Sequence, residues 1–158
     1  MDMALGRVEE NFTRAQALIR ETVEKEGSDV VVLPETWSTG FLPADPASCA
    51  DEEGEHTRRT FSALARELQV NIVCGSVITR RAHQLFNTAY VFDRSGAVVA
   101  EYDKTHLFTF SGEHHSFSPG SHLCTFTLEG TPCALMICYD IRFPELSRTC
   151  ALQGGDLM

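Results

Sequence analysis

The sequence predicts a layered α/β fold, and three stretches carry that prediction. An amphipathic helix (residues 9–25) runs straight into a β-branched strand, Asp29-Val30-Val31-Val32-Leu33. A second helical pattern (residues 55–69) runs into another strand (residues 71–78). Further on, a strand-length apolar run (residues 133–137) turns directly into a helix that opens at Pro144. Helix followed at once by buried strand is the mark of helices layered on a sheet.

The elements follow in order. Phe12, Ala15, Ile19 and Val23 recur at near-helical spacing in the first helix, and Gly27 and Ser28 end it. The short, wholly apolar strand at residues 29–33 reads as covered on both faces. Residues 40–53 form a long connection with two Pro, the one stretch resembling a lid or pocket wall. Phe61, Leu64, Ala65 and Leu68 mark the apolar face of the second helix. Gly75 inside the next strand predicts a close backbone approach. Residues 85–92 and 97–102, joined by Arg94-Ser95-Gly96, read as a hairpin. Residues 103–121, rich in His, Ser and aromatics, make a connection long enough to be functional. Residues 123–128 are expected to pair with the strand that leads to Cys138. This gives two helices and six strands, with one more helix after Cys138.

Both ends read as cut short. Only Met1 to Leu5 precede the first helix, and Gly154-Gly155-Asp156-Leu157-Met158 resembles the start of another buried strand. The chain of 158 residues is thus expected to be a single incomplete domain spanning residues 1–158. Its 43% hydrophobic residues support a core. The net charge of -9 argues against non-specific nucleic-acid binding. No run approaches a membrane-spanning length, and no signal sequence opens the chain. Six irregularly spaced Cys, three of them in or beside apolar runs, read as reduced thiols of a cytoplasmic protein.

Glu35, Lys104 and Cys138 share one kind of position: each closely follows a strand, at the start of a loop. Open α/β sheets place their sites there. Each also has a plain structural reading, as a helix-start carboxylate, a solvated charge and a core thiol. Together they make an acyl-transfer set. A carboxylate takes the thiol proton, the sulfur attacks a carbonyl or nitrile carbon, and an ammonium stabilises the oxyanion. The N–H of Tyr139, directly after the thiol, adds a second oxyanion donor at a strand-to-helix elbow. A helix beginning nearby is expected to favour the Cys138 thiolate. His106, His114 and His115 offer a Cys–His alternative, with no fixed relation to Cys138 from sequence.

Leu33-Pro34-Glu35, Tyr102-Asp103-Lys104-Thr105-His106-Leu107-Phe108 and Cys138-Tyr139-Asp140-Ile141-Arg142-Phe143-Pro144-Glu145 resemble the three signature blocks of the nitrilase superfamily of carbon–nitrogen hydrolases. They stand in the same order, and the similarity runs through nearly the whole chain. The resemblance implies an α-β-β-α sandwich, here its N-terminal portion, with no metal or organic cofactor and a thioester acyl-enzyme. It maps Glu35 to the general base, Lys104 to the oxyanion role and Cys138 to the nucleophile. The family's second glutamate matches Glu113, which position alone does not favour over Glu129. The blocks around Lys104 and Glu113 look closest to the ω-amidase-like branch, which hydrolyses monoamides of short dicarboxylates such as 2-oxoglutaramate, and imply a homodimer at full length. For the substrate's free carboxylate Arg142 is a candidate, with a structural Asp140–Arg142 pair as the competing reading. With the rest of the family's domain absent, residues 30–33 and 133–137 are expected to leave apolar faces exposed, and the isolated chain to be poorly soluble and inactive.

Three alternatives stand beside this. The chain could be another amidase of the superfamily, a carbamoylase or a nitrilase, since all share the three blocks. It could be a catalytically dead dimerisation module. It could also be a zinc or redox sensor using His114, His115, His122 and Cys124, although their spacing matches no compact zinc pattern.

Overall fold

A computed structural model describes residues 1–158. In chain order it contains α1 (Val8–Glu26), β1 (Val30–Val32), β2 (Asp51–Glu52), α2 (Glu55–Leu68), β3 (Asn71–Arg81), β4 (Gln84–Phe92), β5 (Val98–Asp103), β6 (Thr125–Leu128), β7 (Thr131–Ala134) and α3 (Pro144–Leu152). Short 3₁₀ turns occupy Thr109–Ser111, Glu113–His115 and Cys138–Arg142. No helix is long and apolar enough to cross a membrane.

β3, β4 and β5 form an antiparallel meander. β1 and β2 both run parallel to β3 along its other edge, β1 beside residues 71–73 and β2 beside residues 79–80. β6 and β7 make a separate antiparallel pair, as their spacing predicted. Phe12, Ala15 and Ile19 of α1 and Phe61, Leu64 and Ala65 of α2 bury against Ile72, Cys74, Val77, Tyr90 and Phe92. Each such large apolar side chain contributes about 1.5–3 kcal/mol. On the sheet's other face, Ala89, Val91, Ala100 and Tyr102 meet Leu128, Cys133, Leu135 and Ile137.

The run after Pro132 alternates as an extended chain must. Cys133, Leu135 and Ile137 point between the two sheets, while Ala134 and Met136 pack with Leu146 and Cys150 of α3. The layers therefore run helix, sheet, sheet, helix. Leu157 bridges Cys133 in parallel, its carbonyl accepting the Ala134 N–H at 2.8 Å, so the strand-like start after Gly155 does reach the second sheet.

Four expectations change. Residues 133–137, expected to leave an apolar face exposed, are largely buried, and β1 is not covered on both faces: Val30 and Val32 are 41% and 66% exposed, the open face expected there. The reason is that β6 and β7 lie against β4 and β5 and do not extend over β1. The connection at residues 40–53 is only partly a pocket wall. Asp51 and Glu52 pair with β3, and the Asp51 carboxylate caps α2 by accepting from the N–H groups of His56 (3.0 Å) and Thr57 (2.8 Å). Finally, β3 runs three residues past the expected end at Ile78 and turns into β4 at Ala82, whose φ is +53°.

Candidate active site

Glu35 is aimed by the turn that leaves β1. β3 bulges between Val73 and Ser76, and Gly75 there has φ +54°. A Cβ on Gly75 would lie 2.0 Å from the Pro34 carbonyl oxygen and 2.5 Å from that of Leu33. This is the close approach the sequence predicted. Ser76 N–H donates to the Pro34 carbonyl (3.2 Å), the Ser76 hydroxyl accepts from Thr36 N–H (3.0 Å), and the Trp37 indole donates to the Cys74 carbonyl (2.7 Å). Gly75→Ala is expected to cost about 3 kcal/mol, from left-handed strain plus the displaced turn. Gly130→Ala, at φ +79° with open space around it, should cost about 1 kcal/mol. Urea denaturation of both variants checks the difference.

Lys104 continues β5, its N–H donating to the Asn87 carbonyl at 2.9 Å. Its side chain is fully buried, as is that of Glu113, whereas Glu35 keeps 21% exposure. Lys104 Nζ donates to Glu35 Oε1 (2.8 Å) and to Glu113 Oε2 (2.9 Å) and Oε1 (3.2 Å). Burial alone would lower the lysine pKa, but hydrogen bonds to Glu35 and Glu113 override it and the net shift is upward. Two carboxylates facing one ammonium leave a net negative cluster in a dry place. Neutral donors meet the excess: Asn87 Nδ2 reaches Glu35 Oε1 (2.9 Å) and Glu113 Oε1 (3.1 Å), and Phe108 N–H reaches Glu113 Oε2 (2.5 Å). The Phe41 ring, from the connection after β1, lies 5.8 Å from Lys104 Nζ. Glu129, by contrast, lies on the surface beside Arg94.

Cys138 sits at the elbow where the extended chain ends, with φ +46°, a strained value for a residue with a Cβ. It is the one exposed thiol; Cys74, Cys133 and Cys150 are buried, and Cys49 and Cys124 half-buried. Cys138 and Glu35 line one cavity of about 140 Å³ together with Ser76, Ala89, Leu135 and Ile137. The expected thiolate is corrected here. Burial, followed by the neighbouring Glu35 carboxylate, raises the Cys138 pKa against the opposing pull of Lys104. The elbow opens only a short 3₁₀ turn, and α3 starts six residues later at Pro144, so no helix end offsets the carboxylate. The thiol is thereby held above its ordinary range, in the cavity it shares with the Glu35 carboxylate. The Tyr139 N–H takes no backbone partner.

Asp140, fully buried, ties the elbow to the Lys104 loop. Its Oδ2 accepts from Ile137 N–H (3.0 Å) and Tyr102 OH (2.7 Å), and its Oδ1 from His106 N–H (2.9 Å), with His106 Nδ1 at 2.8 Å. The expected Asp140–Arg142 pair is therefore not formed, because four donors already surround the carboxylate. Arg142 points to solvent and makes no ion pair. His106 is held between Asp140 and the Phe143 ring, stacked at 3.7 Å. His114 and His115 lie against each other (3.9 Å), and no three His, Cys, Asp or Glu side chains gather as a metal-holding group.

A larger crevice of about 410 Å³, between α1, residues 48–52 and α2, holds none of the groups just described. Volume does not mark the site; converging charge does. Sequence reading missed Asn87. The available signal was an amide inside the run Leu85-Phe86-Asn87-Thr88-Ala89, where strands disfavour Asn.

Residues 2–158 match the family model for carbon-nitrogen hydrolases, and the chain belongs to that family, within the nitrilase superfamily. It is 38% identical over 157 residues to the 2-oxoglutaramate amidase of Bacillus subtilis, covering 99% of this chain and 60% of the relative. It is 34% identical to the omega-amidase NIT2 of Homo sapiens, covering 94% of this chain and 56% of that protein. A mutant amidase from Nesterenkonia, solved after Michael addition of acrylamide to its active-site cysteine, superimposes with a TM-score of 0.85 at 25% identity. That match covers 97% of this chain and 60% of the other. The chain thus spans about 60% of the length of these relatives.

Proposed function

We propose that this chain carries the catalytic groups of an amidase that hydrolyses the ω-amide of a short dicarboxylate, such as 2-oxoglutaramate. The observation that carries the reading is the single buried cluster of Glu35, Lys104 and Glu113, opening at Glu35 onto the cavity of an exposed thiol. Glu35 takes the Cys138 proton as sulfur bonds to the amide carbon. Lys104 Nζ and the Tyr139 N–H hold the oxygen that becomes negative. The intermediate collapses, Glu35 returns the proton to nitrogen, and ammonia leaves a thioester. Water, deprotonated by Glu35, then attacks that carbon and releases the acid and the thiol. Glu113 keeps Lys104 charged and in place.

The names of the Bacillus subtilis and human relatives support the substrate class. Arg142, exposed and unpaired four residues beyond the nucleophile, is the proposed partner of the free carboxylate. Six unpaired cysteines fit a reducing cytoplasm, and a homodimer at full length completes the proposal.

The test is a substrate panel of 2-oxoglutaramate, carbamoyl amino acids and nitriles. It is run on the 158-residue chain and on a fusion supplying the parts of the Bacillus subtilis relative outside the matched region. Ammonia release from 2-oxoglutaramate by the fusion, and a much lower rate from the chain alone, is the expected result. Turnover of nitriles only, or of nothing by the fusion, overturns the reading.

A further inference from the structure

The side chain of Asn87 is almost fully buried and is used by nothing in the reaction just described. Its Nδ2 stands within hydrogen-bond distance of one oxygen from each carboxylate, Glu35 Oε1 and Glu113 Oε1. An amide NH₂ has two hydrogens, one for each. The opposite amide orientation would set a carbonyl oxygen against two carboxylate oxygens, so the donor orientation is fixed by charge. Asn87 Oδ1 is left buried with no partner, an arrangement that costs free energy and needs a compensating role.

The pattern at Glu35 supplies that role. Both donors it meets, Asn87 Nδ2 and Lys104 Nζ, act on Oε1. Oε2 accepts no hydrogen bond, and Glu35 and Cys138 line one cavity. Lys104 alone does not fix this rotamer, since its ammonium is shared with Glu113 and a point charge sets no plane for the carboxylate. The planar amide, anchored on β4 through the Lys104 N–H to Asn87 carbonyl bond, has no such freedom.

We infer that Asn87 is a positioning residue that locks Glu35 with Oε1 on the ammonium and Oε2 on the Cys138 thiol, while holding Glu113 on the far side of Lys104. This rests on the proposed pairing of Glu35 with Cys138. The titratable groups around Glu35 are Lys104 just past β5, Glu113 from the turn at residues 113–115, and Cys138 from the elbow.

The experiment follows iodoacetamide alkylation of Cys138 by mass spectrometry across pH, which requires no turnover. Because a fixed Glu35 carboxylate opposes the thiolate, Glu35→Gln should lower the alkylation midpoint by about one pH unit. Asn87→Leu, isosteric but without donors, should lower it by at least half as much, because Glu35 is no longer held against the sulfur. In the Glu35→Gln background, Asn87→Leu should change nothing further. Asn87→Ser, with one donor, should fall between wild type and Asn87→Leu, and serves where the leucine variant does not fold. A midpoint that moves in Glu35→Gln but stays at wild type in both Asn87 variants overturns the inference and leaves the Glu35–Cys138 pairing standing. A midpoint unmoved by Glu35→Gln overturns that pairing, and the inference with it.

Discussion

Lys104→Met is expected to lose at least ~10²-fold in amide turnover, the scale for removing an oxyanion donor, and to destabilise the fold by about 3–5 kcal/mol. The two losses have one cause. Methionine fills the volume, but Glu35 and Glu113 then face each other with the only cation between them gone. The pH dependence separates this variant from a simple packing defect. The folded-state pKa of Lys104 is raised above the ordinary 10.5, so its stabilisation is fully present below that value and is lost only as pH rises beyond it. The methionine variant should lack that alkaline loss while being weaker throughout the neutral range. Turnover in the active form and urea denaturation at pH 7 and above 10 read both effects. Unchanged turnover with lowered stability would make Lys104 purely structural.

Asp140→Ala should cost about 3–4 kcal/mol, because it leaves several buried donors without an acceptor. Ile137 N–H, Tyr102 OH and the His106 N–H all lose their partner at once. The elbow would then keep only its backbone bonds to hold Cys138 at φ +46°, and activity should fall with stability. A second readout is local. Burial, and then the hydrogen bond and charge of Asp140, push the Tyr102 phenol well above its ordinary 10.0. Removing the carboxylate should bring that titration down, measurable as ultraviolet absorbance against pH. A stability loss under 1 kcal/mol with an unmoved Tyr102 titration would show that the elbow holds itself.

Local pattern made certain features legible. Gly75 announced a close approach because a glycine inside a strand has few other uses, and the Pro34 carbonyl fills the space its side chain would take. The run after Pro132 announced a short buried strand, and β4, β5 and α3 cover it although its apolar faces were expected to be exposed. At residues 30–33 the expected open face is present and the expected two-sided cover is not, since apolar composition shows that a strand can be covered and not whether anything lies over it. Asp140 was misassigned to Arg142 because neighbours in sequence are the only partners a sequence displays; besides the nearby Ile137 N–H, its partners His106 and Tyr102 are 34 and 38 residues away. Asn87 is likewise 52 residues from Glu35.

By itself the sequence determined the order of the helices and of every strand but β2, the elbow at Cys138 and the set of groups placed at strand ends, because those depend on spacing and turn chemistry between near neighbours. Tertiary structure decided what spacing left open, that Glu113 faces Lys104 as the family resemblance implied while Glu129 does not, and it alone decided that Asn87 bridges both carboxylates and that burial and Glu35 raise the Cys138 pKa. Those outcomes depend on burial and on charges brought within 3–4 Å by sheet register, which no short stretch of chain contains.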